Sequence, residues 1–230
     1  SAAAQEATNI QGTRNAVRLA EAVKARRFHH VSSIAAAGLY PGTFTEDMFD
    51  EAIGLENPYF RTKHDSEGLV RKECKIPWRI YRPGIVVGDS ETGEIDKIDG
   101  PYYFFKLIQK MRRALPAWVP TVGLEGGRLN IVPVDYVVKA LDHLAHKRGQ
   151  DGKCFHLTDP KPLRIGEVLN LFAEAAHAPQ MSMRVDARLF NYIPGVIKQG
   201  LYMLPPVKRI YREVMRDLGM PPDVLKFINY

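Results

Sequence analysis

Three short runs of β-branched and aromatic residues set the limits on how this chain can fold. They are Phe28–Ile34, Trp78–Arg82 and Cys154–Leu157. Apolar and too short for helices, they read as buried strands. Segments of helical spacing separate them. Residues 4–26 place Ala7, Ile10, Val17, Leu19, Ala20 and Val23 on one stripe, and residues 59–75 and 136–146 read as further helices. Pro83-Gly84 closes the second strand, and Ile85-Val86-Val87-Gly88 follows. This order of helix, strand, loop, helix and strand is the alternation of a doubly wound α/β sheet. Ligands of such sheets bind beyond the carboxyl ends of the strands. Ser32 and Ser33 end the first strand, and their hydroxyls either face a site or bond the turn that follows.

The remaining segments are less regular. Residues 39–56, with the acidic patch Glu46, Asp47, Asp50 and Glu51, read as a solvated loop holding a short helix. Asp89–Gly100 is a polar loop, and residues 101–113 form an amphipathic helix rich in aromatics: Tyr102, Tyr103, Phe104, Phe105. Gly123, Gly126 and Gly127 resemble a phosphate loop only superficially, since no helix start follows them. Arg128–Val132 reads as a strand stopped by Pro133, with Asp135 placed to cap the next helix, and residues 165–176 as another helix. Gly12 weakens the first helix by up to about 1 kcal/mol, which a close backbone approach or chance explains. The last fifty residues are basic, aromatic and broken by prolines. They suit a cover over an apolar pocket, a helix on a membrane surface, or a small helical subdomain with its own core. The expected division is residues 1–88 with 130–160 as the sheet domain, and 89–129 with 161–230 as a mostly helical substrate subdomain.

Charge and composition exclude several classes of function. The net charge is +6 over 230 residues, but the Lys and Arg residues are scattered. That favours a phosphate-bearing small molecule over nucleic acid. No apolar run reaches the roughly 18 residues of a membrane span. Two cysteines far apart, Cys74 and Cys154, form neither a disulfide framework nor a zinc knuckle, so a reducing cytosol is the expected compartment. His143 and His146 share a helix face without a carboxylate or thiol at ligand spacing, so no metal is expected.

The chemistry-bearing stretch is Asn57-Pro58-Tyr59-Phe60-Arg61-Thr62-Lys63. Asn57 is a good N-cap and Pro58 suits the first helical position. Tyr59 then lies in the first turn, with Lys63 one turn behind it on the same face. An ammonium and the positive helix end both ease ionisation of a phenol, which can then pass a proton to a carbonyl oxygen. Taken alone, Tyr-x-x-x-Lys also fits an ordinary amphipathic surface.

In company the motif is more specific. Val31-Ser32-Ser33-Ile34-x-x-Ala37-Gly38, Tyr59-x-x-x-Lys63 and Tyr81-Arg82-Pro83-Gly84-Ile85-Val86-Val87-Gly88 occur in that order. Asn9-x-x-Gly12-Thr13 lies upstream and Arg128-Leu129-Asn130-Ile131-Val132-Pro133-Val134-Asp135 downstream. The set resembles the extended short-chain dehydrogenase/reductase family, and within it the fatty acyl-CoA reductases and thioester reductases. The whole chain is similar to the N-terminal reductase domain of bacterial two-domain fatty acyl-CoA reductases. The resemblance implies Ser33, Tyr59 and Lys63 as catalytic serine, tyrosine and lysine. It implies Tyr59, Lys63, Pro83 and Ile85 along the nicotinamide cofactor, with NADPH the usual choice. It also implies a long-chain acyl-CoA or fatty aldehyde as substrate, an aldehyde or alcohol as product, and a second reductase domain. The cysteine usage adds a cytoplasmic location, and the membrane-surface reading of the tail adds peripheral membrane contact as one alternative.

The sequence lacks two of the family's marks: the opening glycine-rich turn, and the residue after the second strand that selects NAD or NADP. The expected fold is therefore the C-terminal part of a Rossmann domain, a fragment without the first strands and unable to hold cofactor by itself. A hydroxysteroid or sugar-nucleotide reductase of the same fold, and a non-catalytic binding module, remain as alternatives.

Overall fold

A computed structural model describes residues 2–96, 100–119 and 121–186. The last-fifty-residue cover, from Phe190 to Arg212, lies outside the described residues. Two units emerge: residues up to Ile95 with Asn130–Pro160, and Asp96–Leu129 with the described residues from Lys161 onward.

The first unit opens with helix α1 (Ala2–Glu6), a π-helical turn at Ala7–Gln11, and α2 (Gly12–Ala22). A methyl group at Gly12 would meet only the Ala7 carbonyl, at 3.8 Å, so no close approach explains this glycine. Strand β1 (Phe28–Val31) stops before the two serines, and a 3-10 turn, Ile34–Ala37, follows them. Gly38 then adopts φ 63°, ψ −127°. An added Cβ there would lie 2.0 Å from the Ile53 carbonyl oxygen, so the closure of the following loop requires glycine. That loop contains turns but no helix, and Phe49 from it is buried. Helix α3 (Pro58–Glu73) leads to β2 (Trp78–Pro83) and β3 (Ile85–Val87).

After the second unit's insertion the first resumes with β6 (Ile131–Pro133), α5 (Val134–His146) and β7 (Lys153–Leu157). The central sheet is parallel, in the order β1-β2-β7, with Val31 beside Tyr81 and Tyr81 beside Phe155. β3 and β6 form a second parallel pair. Because successive side chains of β2 point to opposite faces, Ile80 packs with Val17, Leu69, Val70 and Cys154, while Tyr81 packs with Val132, Val137 and Leu157. Helices α2 and α3 thus cover one face and α5 the other, as the alternation in the sequence predicts.

The second unit holds a 3-10 turn at Gly100–Tyr103, helix α4 (Phe104–Ala114), β4 (Thr121–Glu125), β5 (Arg128–Leu129), β8 (Leu163–Arg164), α6 (Ile165–Ala175) and β9 (Met181–Asp186). β4 pairs parallel with β9, and β5 antiparallel with β8. Its core joins Ile108 to Ala173 and Ala178. Two expectations need correction. The strand expected over Arg128–Val132 is broken at Asn130. There the side-chain amide bonds the backbone of Asp159 in both directions and the carbonyl accepts from Ile85, so the two halves join different sheets. Asp135 is not a cap: α5 begins at Val134, and the carboxylate accepts from the Ser90 N–H and hydroxyl, both at 3.0 Å. Among the described residues no helix is long and apolar enough to cross a membrane.

Candidate functional site

The carboxyl ends of β1 and β2 and the first turns of α3 carry the residues singled out in the sequence. Asn57 caps α3 by accepting from the Tyr59 N–H at 2.9 Å, and Pro58 takes the first helical position. Tyr59 is therefore fixed in the first turn, half-buried, with Lys63 half-buried behind it. Burial lowers the affinity of the Lys63 amine for its proton. The adjacent Thr62 is fully buried and accepts a hydrogen bond from the Asn9 amide at 3.0 Å. Asn9 sits in the π-helical turn, which joins this helix to the tyrosine helix.

Ser33 is half-buried at the start of the 3-10 turn, where its hydroxyl oxygen accepts from the Ala35 N–H at 3.2 Å. His64, next to Lys63, bonds the Ala36 carbonyl through Nδ1 at 3.0 Å and so ties α3 to the turn that carries Ser33. Ser32 does not face a site. It is buried, and its hydroxyl donates to Glu67 at 2.7 Å. Its N–H donates to the Tyr81 carbonyl, which aligns the ends of β1 and β2. Pro83 ends β2 and is buried, and Ile85 opens β3 with its N–H engaged by Asn130 at 2.7 Å. Ser33, Tyr59, Lys63 and the Pro83 segment thus lie on elements bonded to one another at that end of the sheet.

Three participants escape a reading of the sequence: Glu67, Arg82 and His30. Glu67 stands one turn beyond Lys63, and Arg82 just before Pro83; both are fully buried. Desolvation pushes the Glu67 carboxyl up, but hydrogen bonds and charge from Arg82, with Ser32 and Arg71, outweigh it and hold the group below the usual carboxylate range. A signal was available, since Tyr59, Lys63 and Glu67 share a helical stripe.

His30, two residues before Ser32, is pushed down to about 4, first by burial and further by the Lys63 charge, against the pull of Glu67. It is neutral in the folded state and titrates near 6.5 when unfolded. Its neutral form therefore contributes stability above pH 6.5 that is lost as pH falls towards 4. Unfolding free energies measured at pH 7 and pH 4 are expected to differ by about 2–3 kcal/mol less in His30→Phe than in the wild type. Equal losses in the two proteins would contradict this assignment.

The desolvated Lys63 ammonium has no carboxylate partner among the described residues. A cation of that kind fits the hydroxyls of a nucleotide ribose. No group of three His, Cys, Asp or Glu side chains among the described residues is arranged to hold a metal ion.

Residues 2–141 match the family of NAD-binding domains described as male sterility protein. A non-canonical nonribosomal peptide synthetase of Aspergillus hancockii is 32% identical over 95% of this chain and 24% of its own length. An aldehyde reductase of Aspergillus flavus is 29% identical over 95% of this chain and 22% of its own. The chain thus spans about a quarter of the length of these relatives. Among solved structures, the terminal R domain of the myxalamid PKS-NRPS pathway superposes with a TM-score of 0.61 at 26% identity, covering 84% of this chain and 48% of that one. The UDP-glucuronic acid 4-epimerase of Bacillus cereus, in complex with NAD, shares the fold at 21% identity and a TM-score of 0.56, over 77% and 56% of the two chains. With the tyrosine helix, the serine turn and strands β1 and β2 all inside the matched segment, the chain belongs to the male sterility protein, thioester reductase-like family of NAD(P)-binding domains within the extended short-chain dehydrogenase/reductases.

Proposed function

We propose that this chain carries the catalytic groups of a reductase that converts a long-chain acyl thioester, of coenzyme A or of a carrier, to the aldehyde. The observation that carries the reading is the desolvated Lys63 ammonium, one turn behind a tyrosine on a capped helix bonded to the serine turn. A nicotinamide cofactor, NADPH by preference, supplies the hydride when bound. Lys63 would hold its ribose hydroxyls, with the backbone at Pro83 and Ile85 along the nicotinamide. Ser33 donates a hydrogen bond to the substrate carbonyl oxygen. Tyr59 gives that oxygen its proton, and the charge of Lys63 stabilises the phenolate left behind; the hemithioacetal so formed then breaks its carbon–sulfur bond, the hydroxyl proton leaves with the sulfur as free thiol, and the aldehyde remains. The second unit is assigned to recognition of the acyl group, and cytoplasmic location with peripheral membrane contact follows from the same reading.

Relatives that are nonribosomal peptide synthetases favour a second reading, in which the thioester is tethered to a carrier domain rather than to free coenzyme A. A substrate panel separates the two. NADPH consumption by the native enzyme is measured with acyl-CoAs of increasing chain length, the same acyl groups on a carrier protein, free aldehydes, sugar nucleotides and hydroxysteroids. Acyl-CoA turnover, with KM falling as methylenes worth about 0.8 kcal/mol each are buried, supports the first reading. Turnover of carrier-bound substrate alone supports the second. Turnover of sugar nucleotides or hydroxysteroids in place of any thioester overturns both.

A further inference from the structure

Beneath the strand ends a single carboxylate joins the neighbours of Ser33, Lys63 and Pro83. Glu67 Oε2 accepts from the Ser32 hydroxyl at 2.7 Å and from Arg82 Nε at 3.0 Å. Its Oε1 accepts from Arg82 Nη2 at 2.7 Å and from Arg71 Nε at 2.9 Å. Ser32 precedes Ser33, Arg82 precedes Pro83, and Glu67 follows Lys63 by one helical turn. The carboxylate therefore ties β1, β2 and α3 together at the positions where each offers its working residue.

Arg82 extends the connection to the loop after the serine turn. Its Nη2 donates to the Met48 carbonyl at 2.9 Å and its Nη1 to the Thr45 carbonyl at 3.4 Å, and its guanidinium lies 5.1 Å from the centre of the Phe44 ring. Both ends of the ion pair are completely buried. Such a pair seldom adds net stability over apolar residues of equal volume, because desolvation of two charges offsets their attraction. What it supplies that apolar packing does not is direction: two parallel hydrogen bonds fix the carboxylate and guanidinium planes relative to one another.

Building on the reductase reading above, we infer that the Glu67–Arg82 pair, with Ser32, is a positioning device that sets the separation of Ser33, Lys63 and the Pro83 backbone. None of the three side chains touches substrate. They act through the residues beside them, and a misplacement of about 1 Å at such a centre costs on the order of a hundredfold in rate.

Two variants test this in the native enzyme, with kcat, KM and thermal midpoint followed together. Ser32→Ala removes one hydrogen bond and no charge. It is expected to lower kcat by about tenfold or more, with KM for NADPH within about threefold of the wild type. The double variant Glu67→Leu/Arg82→Met replaces the pair by apolar side chains. It is expected to recover a folded protein with a near wild-type midpoint while kcat stays down by about a hundredfold. A purely structural pair would give the opposite result, with activity returning as stability does. Wild-type kcat in Ser32→Ala overturns the inference, and so does wild-type kcat in a folded double variant. If the double variant does not fold, Ser32→Ala decides alone. Tyr59→Phe is assayed alongside. Wild-type rate in that control overturns the reductase reading itself, whereas its collapse beside active Ser32 and Glu67/Arg82 variants overturns the positioning role only.

Discussion

Replacing Tyr59 with phenylalanine is expected to lower thioester or aldehyde reduction by about 10²–10⁴ in kcat, the usual range for a positioned proton donor. The ring keeps its place. The Asn57 side chain caps the helix through the Tyr59 backbone N–H rather than the phenol. Removing one hydroxyl from a half-buried side chain leaves the core untouched, so the thermal midpoint should change little. The loss is chemical, because the substrate oxygen would have to take its proton from water. The check is NADPH oxidation at saturating substrate, with the melting curve recorded on the same sample. A variant that keeps its midpoint and reduces substrate at near wild-type rate would contradict the assignment.

The largest expected effect on stability lies elsewhere, at Arg79. This residue of β2 is fully buried. Its Nη1 donates to the carbonyls of Leu144 and Ala145 at the end of α5, and its Nε donates to Asp151 at 2.9 Å. A cation there satisfies carbonyls left without partners inside the helix and lies at the favourable end of its dipole. Asp151 is shared with Arg27, whose hydrogen bonds, together with those of Arg79, hold its carboxyl down to about 2 against the effect of desolvation. Arg79→Ala leaves buried carbonyls unpaired and opens a cavity between the sheet and α5. A loss of about 3 kcal/mol is expected, read by denaturant unfolding. The corresponding drop in thermal midpoint is about 6–12 °C for a chain of this size. A shift below about 2 °C would show that water or neighbouring side chains replace the guanidinium without cost.

Arg79 and Arg82 also show where the sequence stops being informative. The run Trp78–Arg82 marks a strand through its aromatic and β-branched residues, and that strand is where expected. Its two arginines, however, are three positions apart and so face opposite sides of the strand, and nothing local shows how a buried run accommodates a charge on each face. They are buried because β2 is the middle strand, covered on both faces, and because each guanidinium finds fixed acceptors: helix-end carbonyls for Arg79, and Glu67 with loop carbonyls for Arg82. Those acceptors come from distant parts of the chain, and periodicity carries no information about such pairings. The same holds for Ser32, whose hydroxyl points at Glu67 instead of outward.

Asn130 escaped notice because its role depends on Asp159 and Ile85, both remote in sequence. β4 and β9 escaped because each short run finds its partner about sixty residues away, and a glycine interrupts one of them. The tyrosine helix, by contrast, was legible in full. Its cap, its proline and the Tyr–Lys spacing are local, and local signals survive folding unchanged. The serine turn was legible in part: the sequence places a turn after Ser32 and Ser33, but does not show that Gly38 closes against the Ile53 carbonyl.

The most direct test of the account asks whether Ser33 and Tyr59 act on one oxygen atom. It is a double-mutant cycle in kcat/KM with Ser33→Ala, Tyr59→Phe and the combination. Groups that serve one transition state as a unit are strongly non-additive. The double variant is expected to be no more than about tenfold worse than the poorer single variant, with each single variant down by about 10²-fold or more. Losses that simply multiply, or a Ser33→Ala enzyme at wild-type rate, would contradict a shared reaction centre.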